Sequence, residues 1–269
     1  MSPKNDVEKI IDIVSARVKK FGFCNFTSVN DSLITCRAIS RIPQNAQGII
    51  TVLFPYFLGE DKYADASVSR YACVEDYHIV ALKILSELCD KLRSEFVGEE
   101  FEPFVDNSPI PEVYAAALSG LGRVGKNGLL LNDEYGTWVF IGEIVTTLSL
   151  EDSCAVQKCE NCGLCERNCP TGAIKGGKVD KSKCLSDITQ RKGELSEEHR
   201  MLIKRSGCAW GCDVCQLVCP HNGDVKITDI DEFICSFSPI ADVDNLENKA
   251  YGWRGRAVIE RNIKIIDGE

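Results

Sequence analysis

Cys159-x2-Cys162-x2-Cys165-x3-Cys169, followed at once by Pro170, commits its stretch of chain to wrapping an inorganic centre instead of an apolar core. Three thiolates in successive x2 steps are the ligand run of a bacterial [4Fe–4S] ferredoxin. The first three grip one cubane, and the fourth, before the proline, reaches a second cluster. Structural zinc pairs two C-x2-C units across a longer loop, which three x2 steps in a row do not suit. A second run, Cys212-x2-Cys215-x3-Cys219-Pro220, has Cys208 upstream at x3. By the crossing rule Cys219 completes the first cluster with Cys159, Cys162 and Cys165, and Cys169 joins the second with Cys212 and Cys215. The remaining ligand is Cys208, close but off register, or Cys184, fifteen residues beyond Cys169. Spacing alone leaves both open. Two low-potential clusters side by side form a wire for single electrons, so the chain reads as a redox protein.

The chain holds 15 cysteines in 269 residues. That odd number is too crowded for a disulfide-stapled secreted domain, and disulfides are disfavoured in a reducing cytoplasm. Cys24, Cys36, Cys73, Cys89, Cys154 and Cys235 have no ligand spacing and read as small buried hydrophobes. No stretch approaches the ~18 uninterrupted apolar residues of a membrane span, and the N-terminus leads into a charged helix and not an apolar signal region. A cytoplasmic protein with no membrane partner is expected, acting as a monomer. The net charge of -9 argues against a protein whose main business is non-specific adhesion to nucleic acid.

Hydrophobic periodicity predicts an amphipathic helix over Val7–Phe21 and a second over Asp76–Phe96. A third helix is expected over Pro111–Leu118. Gly48–Phe57 and Gly136–Leu150, dense in β-branched and aromatic residues, read as buried strands. Helices and strands thus mix along residues 1–150, and the predicted class is α/β in a mixed α+β arrangement. Eleven of the 15 cysteines fall between Cys154 and Cys235. That shift divides the chain into an α/β domain at 1–150, a ferredoxin-like double-cluster domain at 151–235 and a basic tail at 236–269. The tail carries Lys249, Arg254, Arg256, Arg261 and Lys264.

Gly120-Leu121-Gly122-Arg123-Val124-Gly125 matches the dinucleotide fingerprint G-x-G-x-x-G, and Gly120–Asn127 nearly matches a P-loop. Context speaks against both. A Rossmann loop leaves a strand and opens a helix, whereas Val113–Ser119 is alanine-rich and helical. Asn127 has no hydroxyl for Mg²⁺. The same glycines are compatible with close backbone approach to another large cofactor.

In chain order, Arg70-Tyr71-x5-Tyr77-His78, Phe104-Val105-Asp106-Asn107-Ser108-Pro109, Gly122-x2-Gly125-Lys126-Asn127, Trp138-x3-Gly142-Glu143-Ile144, the paired cysteine runs and Tyr251-x-Trp253-Arg254-Gly255-Arg256 resemble the epoxyqueuosine reductase family. The resemblance covers nearly the whole chain. It implies a cobalamin-binding α/β domain joined to a double-cluster ferredoxin domain, similar in build to reductive dehalogenases. It also implies reduction of an epoxide on the modified wobble base of tRNA to the alkene, the last step in making queuosine.

Several assignments rest on that resemblance. The family's motif places a cysteine where Cys184 stands, which favours Cys184 over Cys208. Asp106 falls at the family's acid above the cobalt, where a proton is needed for the leaving oxyanion. An Asp in that role is expected to be desolvated, with a raised pKa, and protonated at working pH. Arg70, Tyr71, Tyr77, Lys126, Asn127, Phe140 and Asp213 are the expected contacts to base-off cobalamin. An external low-potential donor of ferredoxin or flavodoxin type would feed the two clusters. Typical members continue into a helical-repeat region that grips tRNA, whereas this chain stops thirteen residues after Arg256. Only weak binding of tRNA is then expected, through Lys249–Lys264. The competing readings are a smaller substrate for the same cofactors, a non-catalytic electron carrier, and an enzyme with a flavin or nucleotide on the glycine loop.

Overall fold

The computed structural model describes residues 3–268. Eight strands follow in chain order among the described residues: β1 (Phe21–Asn25), β2 (Gly48–Pro55), β3 (Phe101–Val105), β4 (Arg123–Val124), β5 (Leu130–Leu131), β6 (Val139–Thr146), β7 (Ile174–Lys175) and β8 (Lys178–Val179). Four of them form an antiparallel sheet of order β1-β2-β6-β3. Its centre is the β2–β6 pair, in register from Gly48 opposite Thr146 to Pro55 opposite Val139. Both strands are buried almost throughout, which accounts for their unbroken β-branched and aromatic runs. The remaining four pair as two small hairpins, β4 with β5 and β7 with β8.

Alternation along β2 separates two apolar layers. Ile50, Val52 and Phe54 share a core with Ile10 and Val14 of helix α1 (Pro3–Ser15) and with Ile84 and Leu88 of helix α2 (Tyr77–Glu95). Ile49 and Leu53 face the other way, onto the alanines of helix α3 (Glu112–Leu118). Ala115, Ala116 and Ala117 are fully buried, and their small side chains let α3 lie close to the sheet. Helices therefore cover both faces of the sheet, as the mixed α+β reading expects.

The predicted elements mostly appear, with shifted ends. The first helix stops at Ser15, and Phe21 belongs to β1, whose half-buried and buried residues alternate as an outer strand requires. A single strand over Gly136–Leu150 shortens to β6. The cysteine-rich segment adds helices α4 (Leu164–Asn168), α5 (Leu185–Thr189), α6 (Glu197–Ser206) and α7 (Val214–Leu217), and α8 (Arg256–Asp267) closes the chain. Among the described residues, no helix is long and apolar enough to cross a membrane.

The stretch 236–269 takes a different form from a free basic tail. Tyr251, Val258 and Ile259 are buried in the same core as Ile10 and Leu85. Ile265 packs with Ile203 of α6, and the Asn262 amide donates to the carbonyls of Thr189 (2.7 Å) and Ala209 (2.8 Å). Its cations are largely engaged as well. Lys249 donates to the Ser236 carbonyl, Arg256 pairs with Asp244 and Glu260, and Arg261 donates to the carbonyls of Arg191 and Gly193. Removing everything after Asn248 is therefore expected to abolish cooperative unfolding in urea, and Ile259→Ala to cost about 2–5 kcal/mol. A truncated chain with an unchanged urea midpoint would mean that this segment is dispensable for folding.

Candidate functional site

The cysteines sort into two groups in space. Cys159, Cys162, Cys165 and Cys219 line one small cavity together with Lys126, Asn127 and His221. The loop reaches this shape through two left-handed residues, Asn161 (φ 62°) and Gly163 (φ 72°), the latter turning directly into α4. Arg167 then ties the loop by donating to the Cys162 carbonyl at 3.0 Å. Cys169, Cys184, Cys212 and Cys215 form the second group, on the wall of a much larger cavity.

Electrostatics follow the same grouping except at Cys215, on which Cys165 of the first group also acts. Burial raises the Cys165 and Cys219 thiols above their ordinary value, and the charges of Cys159 and Cys162 add to it at both. Burial pushes Cys212 up to about 11 and Cys215 up to about 12, with Cys184 contributing to both. At Cys169 the balance reverses. Burial is outweighed by hydrogen bonds from the Thr171 amide and hydroxyl and the Ile174 and Ala173 amides, which hold the thiol below its ordinary value. Cys208 lines neither cavity; its thiol donates to the Trp210 carbonyl at 3.2 Å. Among the described residues no three His, Cys, Asp or Glu side chains converge on a single ion. Zinc would need sulfurs converging at about 2.3 Å from one centre, which neither group of thiols does among the described residues.

The large cavity has a volume of about 1030 Å³, at the upper end of the roughly 300–1,000 Å³ of small-molecule sites. One wall is aromatic: Tyr77 and Phe140 stack at 4.1 Å with an interplanar angle of 6°, and Tyr56 lies 4.4 Å beyond Phe140. Tyr71 and Asn127 also face it, and Trp253, 59% exposed, stands at its edge. A flat ring stack beside a group of thiols can hold a large planar cofactor within reach of a cluster.

The expected cofactor contacts divide accordingly. Tyr71, Tyr77, Asn127 and Phe140 line the large cavity, whereas Arg70, Lys126 and Asp213 do not. The Arg70 guanidinium is enclosed by the rings of Trp138 (4.6 Å), Tyr63 (4.8 Å) and Phe57 (5.3 Å) and pairs with Glu60. Asp213 accepts from the Arg70 amide at 2.7 Å, and burial pushes its carboxyl up to about 6. These two brace the wall from behind. Lys126 turns towards the first cysteine group and pairs with Glu166 at 2.9 Å. The glycines before it are explained by packing. A Cβ on Gly122 would lie 2.4 Å from the Leu131 carbonyl, and one on Gly125 would lie 2.5 Å from Asn127 Oδ1. The motif follows α3 and forms the β4–β5 hairpin, so it lacks the strand-to-helix setting of a nucleotide loop.

At the other end of the cavity lies an acid cluster. Asp106 follows β3 in the left-handed region (φ 54°), a conformation Asp tolerates better than most residues. Its Oδ2 lies 3.1 Å from Nε2 of His78, whose Nδ1 lies 2.6 Å from Asp76 Oδ1. Asp76 is also the N-cap of α2, accepting from the His78 amide at 3.0 Å. Burial disfavours charge on the imidazole, but hydrogen bonds to Asp106 and Asp76 outweigh it and push His78 up to about 9. The reciprocal effect holds Asp106 below the ordinary carboxylate value: the His78 hydrogen bond leads, and burial opposes it. The expectation of a desolvated, protonated Asp106 is thus reversed. Its side chain is 55% exposed and faces a cation, so at neutral pH the proton sits on the imidazole.

Two further carboxylates were not singled out by sequence reasoning. Burial, then the negative charge of Asp106, pushes Glu112 up to about 7. Glu143, fully buried in β6, has its pKa raised well above the ordinary range by burial and then by Glu112. The available signal was a lone acid in the otherwise apolar run Val139–Thr146. Because the folded pKa of His78 exceeds its unfolded value, the ion pair's contribution to stability is complete below about pH 6.5 and fades as pH rises through about 9. In Asp106→Asn, NMR titration is expected to move the His78 pKa down towards its ordinary value and the Glu112 pKa down with it. A His78 pKa still near 9 would place the source of the shift elsewhere.

Comparison with known proteins matches this architecture. Residues 37–107 match the family described as epoxyqueuosine reductase QueG, DUF1730, and residues 158–222 match a 4Fe-4S double cluster binding domain. An epoxyqueuosine reductase of Lactococcus garvieae is 38% identical over 217 residues, which cover 75% of this chain and 61% of that protein. The chain therefore spans less than two thirds of this relative. A solved epoxyqueuosine reductase with an epoxyqueuosine-modified tRNA-Tyr stem loop has a TM-score of 0.82 at 24% identity, over 98% of this chain and 81% of its own. A catabolic reductive dehalogenase gives 0.57 at 15% identity, over 98% and 37%. At these identities the two structures establish a shared fold.

Proposed function

We propose that this chain, which is 38% identical to an epoxyqueuosine reductase over 217 residues and matches that family's model over residues 37–107, is a member of the family and reduces the epoxide of epoxyqueuosine in tRNA to the alkene of queuosine, using two [4Fe–4S] clusters and base-off cobalamin. The observation that carries this reading is the meeting of two chemistries in one cavity: a cysteine group on one wall, the His78–Asp106 pair on another, and about 1030 Å³ between them. A plain electron carrier has no need of that space.

On this reading Cys159, Cys162, Cys165 and Cys219 hold one cluster, and Cys169, Cys184, Cys212 and Cys215 hold the other. The division between the α/β part at 1–150 and the cluster-bearing part at 151–235 follows from it. Tyr71, Tyr77, Phe140 and Asn127 contact the cobalamin. Once bound, these groups would bring single electrons from an external ferredoxin- or flavodoxin-type donor to a strongly reducing cobalt.

The chain's own residues supply position and protons. Tyr77, half-buried and stacked on the buried Phe140, presents a flat apolar surface to the cavity. His78, held by Asp76, carries a proton at Nε2 beside Asp106, where a leaving oxygen can take it. Asp106 keeps that proton in place and makes the imidazolium the acid. This is the reverse of an arrangement in which the Asp itself is the protonated group.

Anaerobic reconstitution tests the reading. About eight iron atoms per chain, one bound corrinoid and conversion of an epoxyqueuosine-bearing stem loop are the expected outcome. Full iron with no corrinoid would reduce the protein to an electron carrier, and corrinoid binding without conversion would point to another substrate. Cys184→Ser is expected to lose about half the iron and Cys208→Ser to retain it. The opposite pattern would exchange the two residues' roles.

A further inference from the structure

Taking the oxygen out of an epoxide as water breaks two C–O bonds and forms one C=C bond, and it consumes two electrons and two protons. On the function proposed above, a one-electron donor supplies the electrons in two steps. The His78–Asp106 pair holds one transferable proton, because the other ring N–H of His78 is committed to Asp76. We propose that Glu143, acting through Glu112, is the source of the second proton.

Glu143 sits at the middle of β6, opposite Thr51 of β2 and Phe104 of β3. It interrupts the apolar row formed by Ile141 and Val145 on the face covered by α3. Its exposure is 0%, and neither carboxylate oxygen has a hydrogen-bond partner. Each packed element offers it little compensation. The Thr51 hydroxyl accepts from Ser119 at 3.0 Å, β3 presents Phe104, the loop after β3 brings the Ser108 hydroxyl, which favours the ionised form, and α3 brings Glu112, which opposes it. The charged groups that act on it, Glu112 and Asp106, are both acids. Burial and two acidic neighbours outweigh the one group that favours its ionised form, the Ser108 hydroxyl, so this carboxylate is retained as the neutral acid.

Glu112 links this store to the cavity. It opens α3, which packs on β6, and it lines the large cavity alongside His78 and Asp106. Lys181 and His78 favour its ionised form while burial and Asp106 oppose it, so it can lose and regain a proton near neutrality. Once Glu112 has given up its proton, its charge acts on the Glu143 acid across the contact of α3 with β6. Passing a proton from Glu143 to Glu112 returns Glu112 to the neutral form, and the pair recharges from solvent after turnover. Glu112 would then be the catalytic residue and Glu143 a positioning and storage residue behind it.

The first test uses the apoprotein. Infrared titration should show a protonated-carboxyl band that persists well above pH 7. That band should be absent in Glu143→Gln and present in Glu112→Gln. In the reconstituted enzyme with the modified stem loop, both variants should slow single turnover by at least about tenfold at pH 8, with less effect at pH 6 and unchanged substrate binding. Glu112→Gln, on the cavity wall, serves if the core variant fails to fold. A band that survives in Glu143→Gln, or a wild-type rate and pH profile in both variants, would overturn the proposal. If the loaded wild-type protein leaves the epoxide intact, the proposed function and the proton's destination fall together. The infrared band would still report whether Glu143 holds a proton.

Discussion

The pairing of β2 with β6 is the constraint on which the rest of the molecule depends. Eight consecutive residue pairs, buried on both faces, leave no register in which the strands could slip without exposing an apolar row. Once fixed, β6 sets three features at different points along its length. Its entry places Trp138 against the Arg70 cage, Phe140 forms the flat floor of the large cavity, and Glu143 is sealed beneath α3. Aromatic floor and buried acid thus occupy opposite faces of a single strand, three residues apart.

The sequence was most legible where chemistry imposes spacing. The cysteine runs line two separate cavities, in the grouping that the crossing rule would give for two cubanes. Cys184 was the exception, lying far from either run, and spacing could not distinguish it from Cys208. Long periodic segments were readable for a similar reason: α2 and the central strands bury whole faces. The short outer strands β1 and β3 were less visible, since five residues that are half-buried carry little pattern.

Charge was the hardest thing to read. Arg70 and Asp213 look like polar contacts for a cofactor, yet they satisfy each other's region behind the wall. Asp106 looks like a raised acid until His78, twenty-eight positions earlier, is placed beside it. A carboxylate's protonation depends on what faces it in three dimensions, and no local spacing records that. The same holds for the final stretch of chain, whose cations suggest a binding arm but whose Tyr251, Val258 and Ile259 complete the core.

One carboxylate joins the site to the frame. Asp76 Oδ1 takes both the His78 amide, in the first turn of α2, and the ring N–H of the same histidine. The imidazole is thereby fixed to a nineteen-residue helix whose other face lies in the core. Its opposite number, Asp106, rides on a left-handed turn just past the end of a strand. The two partners are thus anchored differently, the histidine through a long helix tied into the core and the aspartate through a single left-handed residue, so the reach between them is set by two separate elements of the fold.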